Sequence, residues 1–153
     1  MIKNKGFTLI EILIVIFIIT FLIGAGIVSY RSFEKSTELE NTSQNIISAL
    51  KLAQTKTTAS EEASQYGIHF ESDKYILFKG NEYQPESEDN KIYNISNRLE
   101  IYDINLSGEG SDIIFNRING KTEQNGNISI RIISDPDKIK TITIQLYGLI
   151  END

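Results

Sequence analysis

The residues of this chain that could do chemistry are concentrated at its N-terminus. A single carboxylate, Glu11, lies near the start of an apolar run that begins at Phe7, and Lys3 and Lys5 precede Gly6. A charged side chain inside a membrane-spanning segment costs about 2.5–3.5 kcal/mol on insertion scales, so such a residue is rarely retained without a role. Glu11 is therefore a candidate functional residue.

Elsewhere, the residue types that serve catalysis and metal binding are scarce. The chain has no cysteine, and His69 is its only histidine. Disulfides, thiol chemistry and the usual zinc sites are therefore excluded. Alternation places His69 opposite Ile68 and Phe70 on a strand, which predicts a solvated side chain rather than a ligand or a base. No Ser-His-Asp arrangement is expected, and the chain is predicted not to be an enzyme and to need no cofactor or metal.

Two acidic patches leave calcium binding open as an alternative. They are Glu86-Ser87-Glu88-Asp89 and Asp135-Pro136-Asp137. Hard oxygen ligands suit Ca²⁺, but neither patch has the spacing of an EF-hand. We expect solvated loops at both places.

The charge of the chain argues against nucleic acid as a partner. The formal net charge is −6, and residues 66–153 contain nine Lys and Arg side chains against fifteen Asp and Glu. Such a domain lacks the basic surface that contacts phosphates. Its tyrosines and phenylalanines lie mostly within apolar strand patterns, without interleaved arginines, so we expect them to pack rather than to stack on bases.

The string from Gly6 to Glu11 resembles the processing and assembly signal of type IV prepilins and of the pseudopilins of type II secretion and DNA-uptake machines. The resemblance implies that residues 1–6 are a leader peptide, that a prepilin peptidase cuts after Gly6, and that the new amine of Phe7 is methylated. Glu11, fifth in the mature chain, would neutralise the terminal ammonium of a neighbouring subunit during filament assembly. Loss of two lysines with the leader would change the side-chain charge from −6 to −8.

Residues 7–30 are predicted to form a transmembrane and assembly helix. From Phe7 to Val28 the chain is apolar except for two threonines, one carboxylate and the glycines. As a helix this segment would be about 33 Å long, against a hydrocarbon layer of about 30 Å. The lysines of the leader predict a cytoplasmic N-terminus and an exported C-terminal domain.

Two other interpretations of this segment are open. One is a secretory signal peptide, for which the small residues Gly24-Ala25-Gly26 offer a weak cleavage site. The other is a plain signal anchor, which has no need of Glu11.

After Arg31 the pattern becomes amphipathic and predicts a continuation of the helix. The apolar residues fall near helical spacing with charged residues between them: Leu39, Ile46, Leu50, Ala53 and Ala59. One helix is expected from about Phe7 to Ser64, ended by Gly67.

Past Gly67 the apolar residues alternate. A hairpin is predicted over 66–79, then a loop over 80–90 and strands over 98–106, 111–115, 127–134 and 140–147, with a turn at Asp135-Pro136-Asp137. The predicted fold class is α+β. It is a type IV pilin-like fold in which the long N-terminal helix packs on an antiparallel β-sheet within an extracytoplasmic domain of residues 31–153.

This layout resembles the GspH/FimT-type minor pseudopilins. Gln54 stands where the Leu-x-x-Ala-Arg helix signature of that family has its arginine, after Leu50 and Ala53. The string from Phe115 to Gly120 is similar to the Phe-x-x-x-Gly turn of the family with one residue inserted.

The resemblance implies a structural subunit, a minor pilin or pseudopilin, that sits in the cytoplasmic (inner) membrane as a single-pass protein and then enters a filament. Its expected partners are other pilin or pseudopilin subunits, the prepilin peptidase and the inner-membrane assembly platform. The alternative is a DNA-binding competence-type minor pilin. The sequence does not distinguish between a subunit of a type IV pilus, of a type II secretion system and of a DNA-uptake machine.

Overall fold

The structure of the chain, a computed structural model, describes residues 6–108 and 110–152, without the side chains of residues 24–32 and 152. Residues 1–5 of the predicted leader therefore lie outside the described residues. The chain divides into two compact units, Met1–Ser36 and Thr37–Asp153.

A single α-helix, α1, occupies Leu9–Thr58 and contributes to both units. It ends six residues before the predicted end. Ser60, Glu62 and Ala63 adopt positive φ angles of 53°, 49° and 54°, and Glu61–Ala63 form a single 3₁₀ turn. These left-handed residues end the helix without a glycine, so the prediction that Gly67 ends it is wrong.

The second half of α1 presents its apolar stripe to the core. Leu39, Ile46, Leu50 and Ala53 are buried as the spacing predicts, whereas Ala59 lies beyond the helix and is exposed. Thr57 is also buried; its hydroxyl accepts a hydrogen bond from the Tyr66 backbone N–H at 2.8 Å. This hydroxyl connects the last turn of the helix to the first strand.

Eight strands follow in the described residues, and they form two antiparallel sheets rather than the single sheet that we expected. Sheet A contains β1 (Tyr66–Phe70), β2 (Lys74–Lys79), β3 (Lys91–Asn94) and β5 (Asp112–Ile114) in the order β3-β2-β1-β5. Sheet B contains β4 (Leu99–Leu106), β6 (Gly126–Ile132), β7 (Asp135–Ile144) and β8 (Ile150–Asn152) in the order β4-β6-β7-β8.

The two sheets and the helix share one hydrophobic core. Ile68 and Phe70 of sheet A, Ile128 and Ile130 of sheet B, and Leu50 of α1 are at most 1% exposed and belong to the same cluster. The turn between β1 and β2 also joins the sheets directly, because its Ser72 carbonyl accepts a hydrogen bond from the Ile101 N–H.

The largest differences from the predicted strands are two additional strands and an earlier start of β7. β3 and β8 were not predicted; they are four and three residues long, too short for a clear alternating pattern. Asp135 to Asp137 do not form the turn but begin β7, with Asp135 paired to Ile132. The turn is the two-residue segment Ile133–Ser134, and Pro136 is tolerated because β8 pairs only with the far end of β7.

Gly67 is required for packing rather than for ending the helix. A Cβ atom at this position would lie 2.5 Å from Phe78 Cζ and 2.7 Å from the Ile113 carbonyl oxygen. We therefore expect Gly67→Ala to lower the free energy of unfolding by about 2 kcal/mol, since overpacking a tight core forces neighbours to move. Thermal unfolding followed by circular dichroism measures the loss.

Gly110→Ala is the matched control, because the nearest atom to a Cβ there is 3.9 Å away. Equal melting temperatures for the two variants would contradict the packing role of Gly67.

Candidate functional site

The Gly6–Phe7 peptide bond precedes the first helix and is open to solvent. Gly6 and Phe7 lie outside any helix or strand and are exposed, and no described atom comes within 4 Å of a Cβ built on Gly6. A processing enzyme can therefore reach this bond without unfolding α1. A side chain at position 6 would therefore meet no steric conflict with the described residues.

Thr8 and Glu11 form a reciprocal cap on the first turn of α1. The Thr8 backbone N–H donates to Glu11 Oε2 at 3.4 Å, and the Glu11 backbone N–H donates to Thr8 Oγ1 at 3.3 Å. This is the arrangement of a capping box, in which two backbone donors at a helix N-terminus are satisfied by side chains. The role of Thr8 was not predicted, although the Thr-x-x-Glu spacing before an apolar run is typical of a capping box.

The charge of Glu11 is suited to the helix end on which it lies. The N-terminus of a helix carries a partial positive charge, and a carboxylate in the first turn stabilises it. Cleavage after Gly6 would add a full positive charge on the Phe7 amine, one residue before the cap. Glu11 is the acidic residue in this first turn, so it is the group placed to offset both charges.

The cap uses only one of the two carboxylate oxygens of Glu11. Oε2 caps the helix of Glu11 itself, while no partner for Oε1 is found in the described part of the chain. A carboxylate has acceptor capacity on both oxygens. Glu11 can therefore keep its cap and still accept a hydrogen bond from an outside cation.

The helix that follows the cap is apolar on all sides. From Leu9 to Ile23 its large apolar side chains are between 49% and 78% exposed. The hydroxyl of Thr20 donates to the Ile16 carbonyl at 2.8 Å, which satisfies its donor within the helix. A helix without a polar face needs apolar surroundings on every side.

The predicted transmembrane segment 7–30 is only partly described, because side chains of residues 24–32 lie outside the description. Among the residues that the structure does describe, no helix combines the length and the apolarity needed to cross a membrane.

In the second unit, Gln54 connects the helix to two distant turns. Its Nε2 donates to the carbonyl oxygens of Gly120 and Gly148, at 2.8 and 3.0 Å. Both glycines have positive φ angles, 64° and 78°, which turn their carbonyls toward the helix. The side chain that stands in place of the expected arginine thus has a structural role that the sequence did not reveal.

We expect Gln54→Ala to lower the free energy of unfolding by about 2–3 kcal/mol, because it leaves two partly buried carbonyls without their donor. Urea unfolding followed by circular dichroism gives the value. Gln44→Ala is the control on the same helix, since it removes only an exposed bond to Glu40 worth about 0.5 kcal/mol or less. Equal losses in the two variants would contradict the connecting role of Gln54.

His69 is less exposed than the strand pattern predicts. Its ring stacks on Tyr83 with centroids 4.0 Å apart, and its Nδ1 lies 2.5 Å from Asp112 Oδ1. Tyr83 also contacts Phe78, so the loop after β2 covers this face of sheet A. His69 is half-buried because that loop folds back over it, and its contacts are those of a packed residue.

The acidic patches make ion pairs with lysines. Asp89 lies 3.8 Å from Lys79 Nζ, and Asp135 lies 3.7 Å from Lys138 Nζ. Lys79 also pairs with Glu62, and that hydrogen bond lowers the pKa of the Glu62 carboxyl below its usual range. Among the residues that the structure describes, no group of three or more His, Cys, Asp or Glu side chains could hold a metal ion.

Most Lys and Arg side chains of residues 66–153 form ion pairs with carboxylates of the same chain. Of the nine Lys and Arg side chains of residues 66–153, six pair with carboxylates where the structure describes them: Lys74, Lys79, Arg98, Arg131, Lys138 and Lys140. Lys140 pairs with Glu40, and the Gln44 amide also donates a hydrogen bond to the Glu40 carboxylate. The hydrogen bonds from Gln44 and Lys140 lower the pKa of the Glu40 carboxyl. These pairs reduce the positive surface available to phosphates.

Comparison with known proteins finds one match. Residues 1–27 match the family model described as the prokaryotic N-terminal methylation motif. The match supports the type IV pilin-like class, with prepilin-type processing, membrane anchoring and later association with a filament. No curated protein and no solved structure matches the chain.

Proposed function

We propose that this chain is a structural subunit, a minor pilin or pseudopilin of the GspH/FimT type, in a type IV pilus-like or type II secretion filament. The observation that carries the proposal is the N-terminal arrangement: an open Gly6–Phe7 bond, a capped first turn with Glu11, and an apolar helix surface. In this account the chain performs no catalysis of its own and is the substrate of a prepilin peptidase.

Processing is the first step of the proposed function. The peptidase cuts after Gly6, releases residues 1–6 and methylates the Phe7 amine. The exposure of Gly6 and Phe7 ahead of α1 supports this step, because a protease needs its substrate in an extended and accessible form.

Membrane residence is the second step. Residues 7–30 lie in the cytoplasmic membrane, and residues 31–153 are exported. The support is the apolar surface of α1 between Leu9 and Ile23, together with the two lysines of the leader. A helix of this kind is stable when lipid or other apolar helices surround it.

Assembly is the third step, and Glu11 is its central residue. The Phe7 ammonium of one subunit pairs with the Glu11 carboxylate of its neighbour as the helices leave the bilayer and pack side by side. The oxygen of Glu11 that is not used by the cap supports this pairing. In apolar surroundings such a pair sets the register, because a shifted neighbour leaves a buried charge alone.

Shearing tests the proposal in the native cell. Antibody against residues 37–153 should detect the chain in the sheared filament fraction of a strain that has a prepilin peptidase, and only in membranes of a strain that lacks it. Detection in membranes alone in both strains would contradict the proposal.

A further inference from the structure

A cleft of about 400 Å³ opens beside β5, wholly within the second unit. Half of the ten residues that line it carry amide side chains, namely Gln65, Asn81, Asn116, Asn119 and Gln124, and Leu146 adds apolar surface. Pockets for drug-like ligands are lined mostly by apolar groups. This cleft is therefore suited to a different class of ligand, and the processing and assembly described above do not use it.

The amides of Asn116 and Asn119 are fixed by the backbone. Asn116 Oδ1 accepts a hydrogen bond from the Ile118 N–H at 2.9 Å, and Asn119 Oδ1 accepts one from the Lys121 N–H at 3.0 Å. A backbone N–H can only donate, so the oxygen must be the bonded atom and the amide cannot be reversed. Both NH₂ groups are left without a partner among the described residues, and each can donate to a ligand.

Hydrogen bonds within the chain also fix the amides of Gln124 and Gln65, the first through its oxygen and the second through its nitrogen. Gln124 Oε1 accepts from the Ile114 N–H at 3.3 Å and from the Thr122 hydroxyl at 3.1 Å, which leaves its NH₂ group as a donor. Gln65 Nε2 donates to the Phe115 carbonyl at 3.2 Å, which leaves its oxygen as an acceptor. The cleft thus combines three fixed donors with one fixed acceptor.

The charges around the cleft favour a neutral ligand. Lys121 and Glu123 both line it and carry opposite charges, and the chain as a whole has a net charge of −6. The Lys121 ammonium lies 4.8 Å from the centre of the Tyr147 ring, which is itself 70% exposed. Leu146 offers apolar surface inside the cleft, and the Tyr147 ring lies next to Lys121 without lining the cleft.

We propose that this cleft binds a neutral saccharide. A sugar hydroxyl donates and accepts at the same time, which matches the fixed donors and the fixed acceptor of the cleft, and the C–H face of a sugar can pack on Leu146. Asn116 and Asn119 are exposed and Gln65 and Gln124 are half-buried, so a ligand can reach all four amides. Polar groups that the protein already holds in place lose little freedom when a ligand binds to them.

Nuclear magnetic resonance of the full chain tests the proposal. The ¹⁵N-labelled protein is held in micelles of a zwitterionic detergent, because glycosidic detergents are themselves saccharides, and is titrated with chitotriose and with maltotriose. We expect the side-chain NH₂ signals of Asn116, Asn119 and Gln124 to shift at millimolar concentration of at least one of them, the range of weak sites with few contacts.

Two variants locate the site. Asn119→Asp and Gln124→Glu keep an oxygen that can hold the backbone, but they replace the NH₂ donor with a second acceptor oxygen and add one negative charge. Each should weaken binding about fivefold to tenfold. Asn127→Asp is the matched control, since Asn127 Oδ1 accepts from the Thr143 hydroxyl at 3.0 Å on β6, outside the cleft. Its affinity should equal that of the unmodified chain.

Three results would overturn the proposal: no shift with either sugar, unchanged affinity in both cleft variants, or the same shifts on raising the protein concentration without sugar. The last result would identify the cleft as a contact between copies of the chain. None of them bears on processing at Gly6, so the two proposals fail independently.

Discussion

Gly6→Val is expected to abolish release of residues 1–6 and to leave the full-length chain in the membrane. The described residues place nothing within 4 Å of a Cβ at this position, so valine meets no steric conflict with them. We attribute the requirement for glycine to the peptidase, in which a side chain next to the scissile bond displaces the reacting groups. Displacements of about 1 Å can cost about a hundredfold in rate.

The measurement is the fraction of chain that lacks the leader after co-expression with a prepilin peptidase. Gly6→Ala, with a smaller side chain, should be processed more slowly than the unmodified chain and faster than Gly6→Val. Normal cleavage of Gly6→Val would contradict processing at this bond.

Glu11→Val is expected to exclude the processed chain from filaments. Without the carboxylate, the Phe7 ammonium of a neighbour is left unpaired in an apolar interface. Breaking one partner of a buried pair costs roughly 3–5 kcal/mol, which corresponds to a loss of incorporation of at least about a hundredfold. Cleavage after Gly6 should survive, because it precedes assembly.

The capping box makes this test sharper, because Glu11 has a local role as well. Glu11→Gln can keep the cap, since glutamine serves at this position of a capping box, but it removes the charge. Thr8→Val removes the Thr8 Oγ1 acceptor and keeps the charge, at a cost of about 1 kcal/mol for the lost cap. We expect Glu11→Gln to fail to assemble and Thr8→Val to assemble. The opposite pattern would show that Glu11 acts only on its own helix.

The sequence predicted the elements of the fold better than their arrangement. Periodicity identified α1 and the hairpin of β1 and β2, because these depend on local spacing. It could not divide the strands between two sheets, since alternation identifies the faces of a strand but not its partners. Nor could it place the end of α1, because Ser60, Glu62 and Ala63 adopt left-handed conformations that non-glycine residues rarely show.

In the candidate site, too, contacts between residues close in sequence could be predicted, and contacts between distant residues could not. The cap between Thr8 and Glu11 could have been predicted, because the Thr-x-x-Glu spacing is local. The role of Glu11 in assembly stays a prediction. The bonds of Gln54 to Gly120 and Gly148 span 66 and 94 residues of sequence, so no local pattern could indicate them. His69 was predicted to be solvated because the strand pattern carries no information about the loop that brings Tyr83 over its ring.

The mass of the N-terminal peptide, measured on protein from sheared filaments, tests processing and filament entry in one experiment. We expect a peptide that begins at Phe7 with one methyl group on its amine. A peptide that begins at Met1, or one produced by cleavage near Gly26, would contradict it.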